Sequence, residues 1–192
     1  MKMSAFLNAV ILCGGKSSRM GKDKSLLKIN QKSLAELAHK KLTPLFKKVY
    51  LSSKDDKFNF KADIIKDDIS FQIYSPMLAL YSILKHFKDE FVFILGVDFV
   101  RFSEKELEKL ELFLNQNYQI IIPKTKLYKH SLCGFYHASL TPLCEEMLQK
   151  NEQKISLLFD KASTKFVDFE SEKAFLNLNY YDEFLKYQSE CL

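Results

Sequence analysis

A glycine-rich, basic stretch follows a short apolar run and has the composition of a phosphate-binding loop. Gly14, Gly15 and Gly21 lack a Cβ, so the backbone there can bend sharply and present its N–H groups to an anion. Arg19 adds a planar guanidinium whose donors match phosphate oxygens, and Lys24 adds a point charge. The stretch therefore predicts a phosphate-binding site.

The spacing of these residues excludes two familiar phosphate-binding motifs. A Walker A loop requires Gly-x-x-x-x-Gly-Lys-Ser/Thr, and the dinucleotide fingerprint requires Gly-x-Gly-x-x-Gly. Residues 15–22 fit neither pattern. A basic turn that only meets solvent is the alternative interpretation of this stretch.

A carboxylate at the end of the most apolar run in the chain is the second candidate. Residues 91–98 read Phe-Val-Phe-Ile-Leu-Gly-Val-Asp, which predicts a central strand covered on both faces. Since a buried carboxylate without a partner is costly, Asp98 either stabilises the turn after the strand or ligates a metal ion there. Beside a phosphate site, the metal interpretation is favoured.

Three further polar side chains are candidates for binding a second substrate. Asn177 and Asn179 would point the same way from an extended segment and offer paired amide groups to one ligand. Capping of the following helix by Asn179 is the alternative. His130 opens the run at residues 130–136, but no Asp or Ser partner at recognisable spacing makes a triad with it.

Strands and helices alternate along the chain and would position these candidates. β-rich runs predict strands at residues 9–13, 49–52, 62–65, 91–98, 118–122 and 165–169, and Pro123 is expected to end the fifth. Capping boxes at 33–36 and 103–106, and prolines at 76 and 142, predict helix starts, with further helices at 155–159 and from 181. This alternation predicts an α/β fold with a doubly wound, mostly parallel sheet in three layers, which binds ligands at the carboxyl ends of its strands.

Length and composition limit the class of protein. The 192 residues fit a single domain, 1–192, and the net charge of +5 is not gathered into one basic run, so no nucleic-acid partner is expected. The four cysteines are far apart, which argues against a zinc site and favours reduced thiols in the cytoplasm. No apolar stretch reaches the roughly 20 residues of a membrane span, so no membrane partner is expected.

The glycine-rich stretch resembles the Leu-x-Gly-Gly-x-x-x-Arg-Met-Gly-x-x-Lys signature of the nucleotide-sugar pyrophosphorylase-like nucleotidyltransferases, and within them the molybdenum cofactor guanylyltransferases (MobA). The residues that match are Leu12, Gly14, Gly15, Arg19, Met20, Gly21 and Lys24. Gly96 and Asp98 match the family's Gly-x-Asp-x-Pro motif, and Asn177 and Asn179 match its Asn-x-Asn. The resemblance extends from Leu12 to about residue 185.

The resemblance implies a Rossmann-like nucleotidyltransferase fold and transfer of GMP from GTP to molybdopterin, with release of pyrophosphate. It implies Mg²⁺ on Asp98, and a catalytic set of Arg19, Lys24 and Asp98. The nucleotide-binding residues it implies are Leu12, Gly14, Gly15, Arg19, Lys24, Asp98 and Asp67, with the adjacent Asp68 as an alternative to Asp67. The acceptor-binding residues are Asn177, Asn179 and His130, and proteins of cofactor biosynthesis and molybdoenzyme maturation are expected partners.

The sequence departs from the family pattern in two motifs. Ser75, Met77 and Leu80 stand where the family has Gly-Pro-Leu-x-Gly around Pro76, and Val100 replaces the proline after Asp98. Two alternatives therefore stay open. One is a related nucleotidyltransferase with another base or acceptor, such as a cytidylyl or sugar-phosphate enzyme, and the other is a catalytically silent nucleotide-binding module.

Overall fold

The strands of the central sheet follow the apolar runs of the sequence. The structure, a computed structural model, describes residues 2–14 and 23–190. Within these ranges the sheet contains β1 (Asn8–Leu12), β4 (Lys48–Ser52), β5 (Asp63–Ile65), β6 (Phe91–Gly96), β7 (Ile120–Lys124), β8 (Cys133–His137) and β9 (Thr164–Asp168). A separate antiparallel pair is formed by β2 (Lys28–Ile29) and β3 (Lys32–Ser33).

The helices begin where the sequence places caps and prolines. They are α1 (Leu34–Leu42), α2 (Pro76–His86), α3 (Glu104–Glu111), α4 (Thr141–Gln149) and α5 (Tyr181–Glu190). Ser33 accepts a hydrogen bond from the Glu36 backbone N–H, and Ser103 forms a capping box with Glu106. Residues Ile155–Asp160 form a 3-10 helix. In the described part of the chain, no helix is long and apolar enough to cross a membrane.

The sheet is mostly parallel, as predicted. Its strand order is β5-β4-β1-β6-β8-β7-β9, and β8 alone among these strands runs antiparallel to its neighbours β6 and β7. Side chains alternate between two cores. Ala9 and Ile11 face the core shared with α1, α3 and α5, whereas Val10 and Leu12 face the core shared with α2 and α4. The predicted three-layer α/β architecture is thereby confirmed.

The prediction that Pro123 ends its strand is wrong, because β7 continues to Lys124. Pro123 pairs in register with Val167 of β9, and its carbonyl accepts a hydrogen bond from the His130 N–H at 3.0 Å. In a strand, the N and C=O of one residue point to the same side. The missing N–H of Pro123 therefore faces away from β9, and its absence removes no bond from that ladder.

The topology brings the carboxyl ends of β1, β4, β5 and β6, which are neighbours in the sheet, to one edge. From β1 the chain crosses through α1 on one face to β4, and from β5 it crosses through α2 on the other face to β6. Because β1 pairs with both β4 and β6, the two crossovers diverge beside the end of β1. A switch point of this kind leaves a crevice at the carboxyl ends of the strands.

Candidate active site

A cavity of about 330 Å³ occupies this crevice. Five of the residues predicted to act in catalysis or binding line it: Leu12, Gly14, Lys24, Asp67 and Asp98. The other lining residues come from the same strand ends, from the start of α2 and from the segment before β8: Cys13, Asp23, Ser52, Ser53, Tyr74, Ser75, Pro76, Ala79, Gly96, Val97 and Leu132. Gly15 and Arg19 lie outside the described residues.

Lys24 and Asp98 form an ion pair at the cavity wall. The Lys24 Nζ lies 3.1 Å from Asp98 Oδ2 and 3.3 Å from the Asn179 side-chain oxygen, and both charged side chains are about one-fifth exposed (19%). The structure thus joins three of the predicted residues, which lie far apart in sequence. A mostly buried ion pair at a cavity wall offers both signs of charge to a ligand.

Local structure fixes the position of Lys24. It is the first residue of a short 3-10 helix, Lys24–Leu26. Asp23 caps this helix, since its Oδ1 accepts hydrogen bonds from the Ser25 backbone N–H at 2.9 Å and from the Ser25 hydroxyl at 2.6 Å. Ser25 is itself fully buried. The cap therefore sets the direction in which Lys24 leaves the backbone.

Asp98 sits in a tight turn that follows β6. The Phe99 N–H donates to the Gly96 carbonyl at 3.0 Å, and the Leu178 N–H donates to the Asp98 carbonyl at 3.3 Å. The second bond brings the two candidate asparagines on either side of Leu178 next to the turn. Val100, which replaces the family's proline, supplies its carbonyl to Lys41 Nζ at 2.8 Å.

Gly96 leaves room for the Asp98 carboxylate. A Cβ at this position would lie 2.8 Å from Asp98 Oδ1 and 3.1 Å from the Phe99 ring. We expect Gly96→Ala to displace the carboxylate and to lower the rate of nucleotide turnover about 10- to 100-fold, since small misplacements of a reacting group are costly. Steady-state rates with purified variant and intact protein measure this. An unchanged rate would show that the carboxylate position is unimportant.

The two asparagines have different partners. Helix capping at the start of α5 is served by Glu183, whose Oε2 accepts from the backbone N–H groups of Asn179 at 2.6 Å and Tyr180 at 3.0 Å. The Asn179 side chain is therefore available to Lys24. The Asn177 side-chain oxygen is buried and has no hydrogen-bond partner among the described residues. A buried acceptor of this kind needs a donor or a cation to satisfy it, although neither Asn177 nor Asn179 lines the cavity.

These oxygens fit a magnesium ion. Mg²⁺ prefers hard oxygen ligands, and it is usually held by one or two carboxylates together with water and substrate phosphates. Asp98 supplies the carboxylate, and the Asn179 amide oxygen, which shares Lys24 with it, supplies a neutral oxygen nearby. Among the residues that the structure describes, no group of three or more His, Cys, Asp or Glu side chains could hold a metal alone. This donor set therefore suits a magnesium ion that is also ligated by the phosphates of a substrate.

The start of α2 adds a second feature suited to phosphate. Ser75 caps the helix by accepting from the Leu78 N–H at 3.2 Å, and both Ser75 and Pro76 line the cavity. The first turn of a helix carries unpaired N–H groups and a partial positive charge, which favour an anion. Met77 and Leu80, which depart from the family motif, are buried in the core beneath α2.

The neighbouring carboxylates Asp67 and Asp68 have opposite environments. Asp67 lines the cavity, and burial raises its pKa above the usual value. Asp68 turns away to Lys85, whose Nζ lies 2.7 Å from Asp68 Oδ2, and it also accepts from the Ser70 N–H at 2.8 Å. These hydrogen bonds lower the pKa of Asp68 to about 2. Asp67 is thus the member of the pair that faces the cavity.

This contrast predicts opposite effects on stability. A carboxyl with a raised folded-state pKa costs stability as the pH rises from its unfolded pKa through its folded pKa. Asp67→Asn should therefore raise the unfolding temperature at about pH 7 and leave it unchanged at about pH 3. Asp68→Asn, the matched control, should lower it at about pH 7, because its pKa is depressed. Thermal denaturation at the two pH values measures both variants, and a lower unfolding temperature for Asp67→Asn at neutral pH would contradict the burial cost.

His130 lies in a packed environment. It is buried, stacks on Phe175 with ring centroids 4.7 Å apart, and places Nε2 3.2 Å from the Thr125 hydroxyl and 3.4 Å from Glu172. Burial lowers its pKa, and Glu172 opposes this effect. Leu132, two residues further on, lines the cavity, whereas His130 does not. Its role in binding an acceptor stays a prediction.

Several cavity residues were not identified from the sequence. Ser52 and Ser53 follow β4, and Tyr74 precedes the α2 cap; their positions depend on strand order, which no local pattern reveals. Asp23 could have been found, because an Asp two residues before a buried Ser is a common capping arrangement.

The chain is similar to known proteins over nearly its whole length. Residues 9–164 match the family model described as the MobA-like NTP transferase domain. A Campylobacter jejuni protein named molybdenum cofactor guanylyltransferase is 58% identical over 184 residues, covering 96% of each chain. A protein of the same name from Vibrio parahaemolyticus is 28% identical over 186 residues, covering 93% of each.

The same architecture occurs in a solved structure. Molybdopterin-guanine dinucleotide biosynthesis protein A from Archaeoglobus fulgidus superposes with a TM-score of 0.82 at 19% identity, covering 96% of this chain and 98% of that chain. At this identity the likeness concerns the fold. The Rossmann-like α/β fold is thus shared with that protein.

Proposed function

Because the chain belongs to the family of MobA-like NTP transferases, we propose that it transfers GMP from GTP to molybdopterin and releases pyrophosphate. The observation that carries the proposal is the Lys24–Asp98 ion pair inside a cavity at the carboxyl ends of the strands. The choice of guanine and molybdopterin is supported by the relative that is 58% identical and named for this reaction.

The reaction requires positioning rather than a side-chain nucleophile. A terminal phosphate oxygen of molybdopterin attacks the α-phosphorus of GTP, a new P–O bond forms, and the bond to the β-phosphate oxygen breaks as pyrophosphate leaves. Charge on the α-phosphate must be neutralised during this exchange. The Lys24 ammonium and the N-terminus of α2 both lie at the cavity and can supply this neutralisation.

Asp98 is proposed to hold the metal ion, with Asn177 and Asn179 as neighbouring oxygen donors. When bound, Mg²⁺ would polarise the α-phosphate and offset the charge of the triphosphate. Without a metal ion, the Lys24 ammonium neutralises the charge of the Asp98 carboxylate and holds it at the cavity wall. Arg19 and Gly15 are assigned to the triphosphate by resemblance only.

The remaining residues are proposed to shape the nucleotide site. Leu12, at the end of β1, and Gly14, just after it, line the cavity. Because Gly14 has no Cβ, a nucleotide can approach its backbone closely. A Cβ on Gly14 would lie 3.1 Å from the Tyr74 hydroxyl, so the two residues lie close together in the cavity wall. Asp67 is proposed to accept hydrogen bonds from the ribose or the base. The unpaired thiols of Cys13, Cys133 and Cys144 favour a reducing compartment such as the cytoplasm.

Nucleotide-dependent release of pyrophosphate tests the function. The intact chain is incubated with magnesium, a molybdopterin-loaded carrier and GTP, ATP or CTP in turn. Release with GTP alone is expected. Release with CTP would instead indicate a cytidylyltransferase. Binding of nucleotide without release would favour a silent module, and omission of the carrier controls for simple hydrolysis.

A further inference from the structure

Lys57 links two points that flank the glycine-rich stretch. Its Nζ donates a hydrogen bond to the Cys13 carbonyl at 3.2 Å and forms an ion pair with the Asp23 carboxylate. Cys13 follows the last residue of β1, and Asp23 caps the helix that begins with Lys24. Lys57 itself lies in the segment between β4 and β5 and is not among the residues that line the cavity.

The contacts continue from Lys57 to the site. Asp23 uses one oxygen for Lys57 and the other for the Ser25 N–H and hydroxyl. Lys24, the next residue, extends to Asp98 and Asn179. The direction of the Lys24 side chain therefore depends on a cap whose carboxylate is held in turn by Lys57.

The ion pair between Lys57 and Asp23 is partly buried, so solvent screens it less than a pair on the surface. The Lys57 and Asp23 side chains are 26% and 36% exposed. Burial disfavours the charged form of Asp23, yet the hydrogen bonds from Lys57 and Ser25 outweigh it and hold the pKa of Asp23 below its usual value. The Lys57 ammonium also approaches the face of Phe58, 5.6 Å from the ring centroid. Its position is thus fixed from three sides.

We propose that Lys57 is a positioning residue for nucleotide transfer, which ties the end of β1 to the Asp23 cap and so places Lys24 opposite Asp98. This inference deepens the proposed function and rests on it. A group held in its reactive position before substrate binds costs no reorganisation during the reaction. Lys57 supplies that order without touching substrate.

Substitution of Lys57 tests the positioning role. Lys57→Met keeps the length of the side chain but removes the charge and both hydrogen bonds. We expect kcat/KM for GTP to fall about 10- to 100-fold, as is typical when a group that orients a functional residue is lost. Lys57→Arg keeps a charged donor and should recover activity to within a few-fold. Lys54→Met, in the same segment and exposed, is the matched control and should act like the intact chain.

A double-mutant cycle shows whether Lys57 acts through Asp23. Asp23→Asn keeps an oxygen for capping, since Asn is also a good N-cap, but it loses the ion pair. If the two residues act as one unit, the double variant should be no more than about threefold worse than the more damaged single variant. If the fold-losses in kcat/KM of the two single variants multiply in the double variant, Lys57 and Asp23 act separately and the proposal is overturned.

Hydrogen exchange gives a readout that does not depend on turnover. The N–H groups of Ser25, Leu26 and Leu27 are bonded within the Asp23-capped turn. In Lys57→Met their exchange should be about tenfold faster than in the intact chain, while the amides of β6 stay unchanged. Unaltered exchange at these three amides would overturn the proposal even if the protein proved to have another activity. Conversely, absence of GTP turnover in the intact chain would refute the proposed function but not the link between Lys57 and Lys24.

Discussion

Asp98→Ala should reduce GTP-dependent release of pyrophosphate by about 10³-fold or more, while the chain stays folded. The substitution removes the carboxylate that faces Lys24 at 3.1 Å and that is proposed to hold the metal ion. It also leaves the Lys24 ammonium without its charged partner at the cavity wall. Because the side chain lies at a cavity rather than in a packed core, we expect only a small change in the unfolding temperature.

One further variant separates charge from shape at position 98, and a second serves as a control elsewhere in the chain. Asp98→Asn keeps the size of the side chain and loses the charge, so it should be nearly as inactive as Asp98→Ala. Asp160→Ala removes an exposed carboxylate at the end of a 3-10 helix and should retain full activity. Circular dichroism and thermal denaturation monitor folding in all three. Near-normal turnover in Asp98→Ala would refute the metal role of this residue.

The elements of the fold could be predicted because their signals are local. The short apolar run from Ala9 predicts a buried strand, whose side chains in the structure pack into two cores, and the capping box at Ser103 marks the start of α3. Strand direction has no comparable signal. The apolar residues of β8 look like those of a parallel strand, and its reversed direction follows only from its pairing with β6 and β7.

The residues of the candidate site that lie in a sequence motif could be predicted. Contacts between residues far apart in sequence could not. Lys24 and Asp98 lie within the motifs that resemble the family, and the structure brings them together. Lys57 pairs with Asp23 across 34 positions, with no periodic pattern to mark it. It also stands in a charged segment that reads as solvated surface. Such contacts become visible only once the strand order places the end of β4 beside the end of β1.

The partly buried carboxylate of Asp67 illustrates why the site is not optimised for stability. Burial raises its pKa, so the ionised form costs free energy in the folded state. The adjacent Asp68 avoids this cost through Lys85 and Ser70. Asn at position 67 would avoid this cost in folding free energy. A residue that is kept despite such a cost is typically one that binds a ligand. The stability comparison of the two Asn variants therefore bears on function as well.

Gly134→Ala should destabilise the protein by about 3–5 kcal/mol, the largest effect on folding that we expect from a single added methyl group. Gly134 lies in the middle of β8 with φ +153°, a conformation that side chains rarely adopt. A Cβ there would lie 2.4 Å from the Ile121 carbonyl oxygen and 2.7 Å from Ile122 Cγ2. Since β8 is paired on both edges, the backbone cannot move away without breaking the ladders to β6 and β7.

Thermal or denaturant unfolding measures this loss, which should lower the unfolding temperature by about 10 °C. Gly14→Ala is the matched control for stability. Among the described residues, the only atom near its added Cβ is the Tyr74 hydroxyl at 3.1 Å, a much milder approach than the backbone contact at Gly134, so its cost should be below about 1 kcal/mol. Equal stability of the two variants would mean that β8 can shift within the sheet. In that case the position of Leu132 at the cavity wall, just before β8, would be adjustable rather than fixed by the strand pairing.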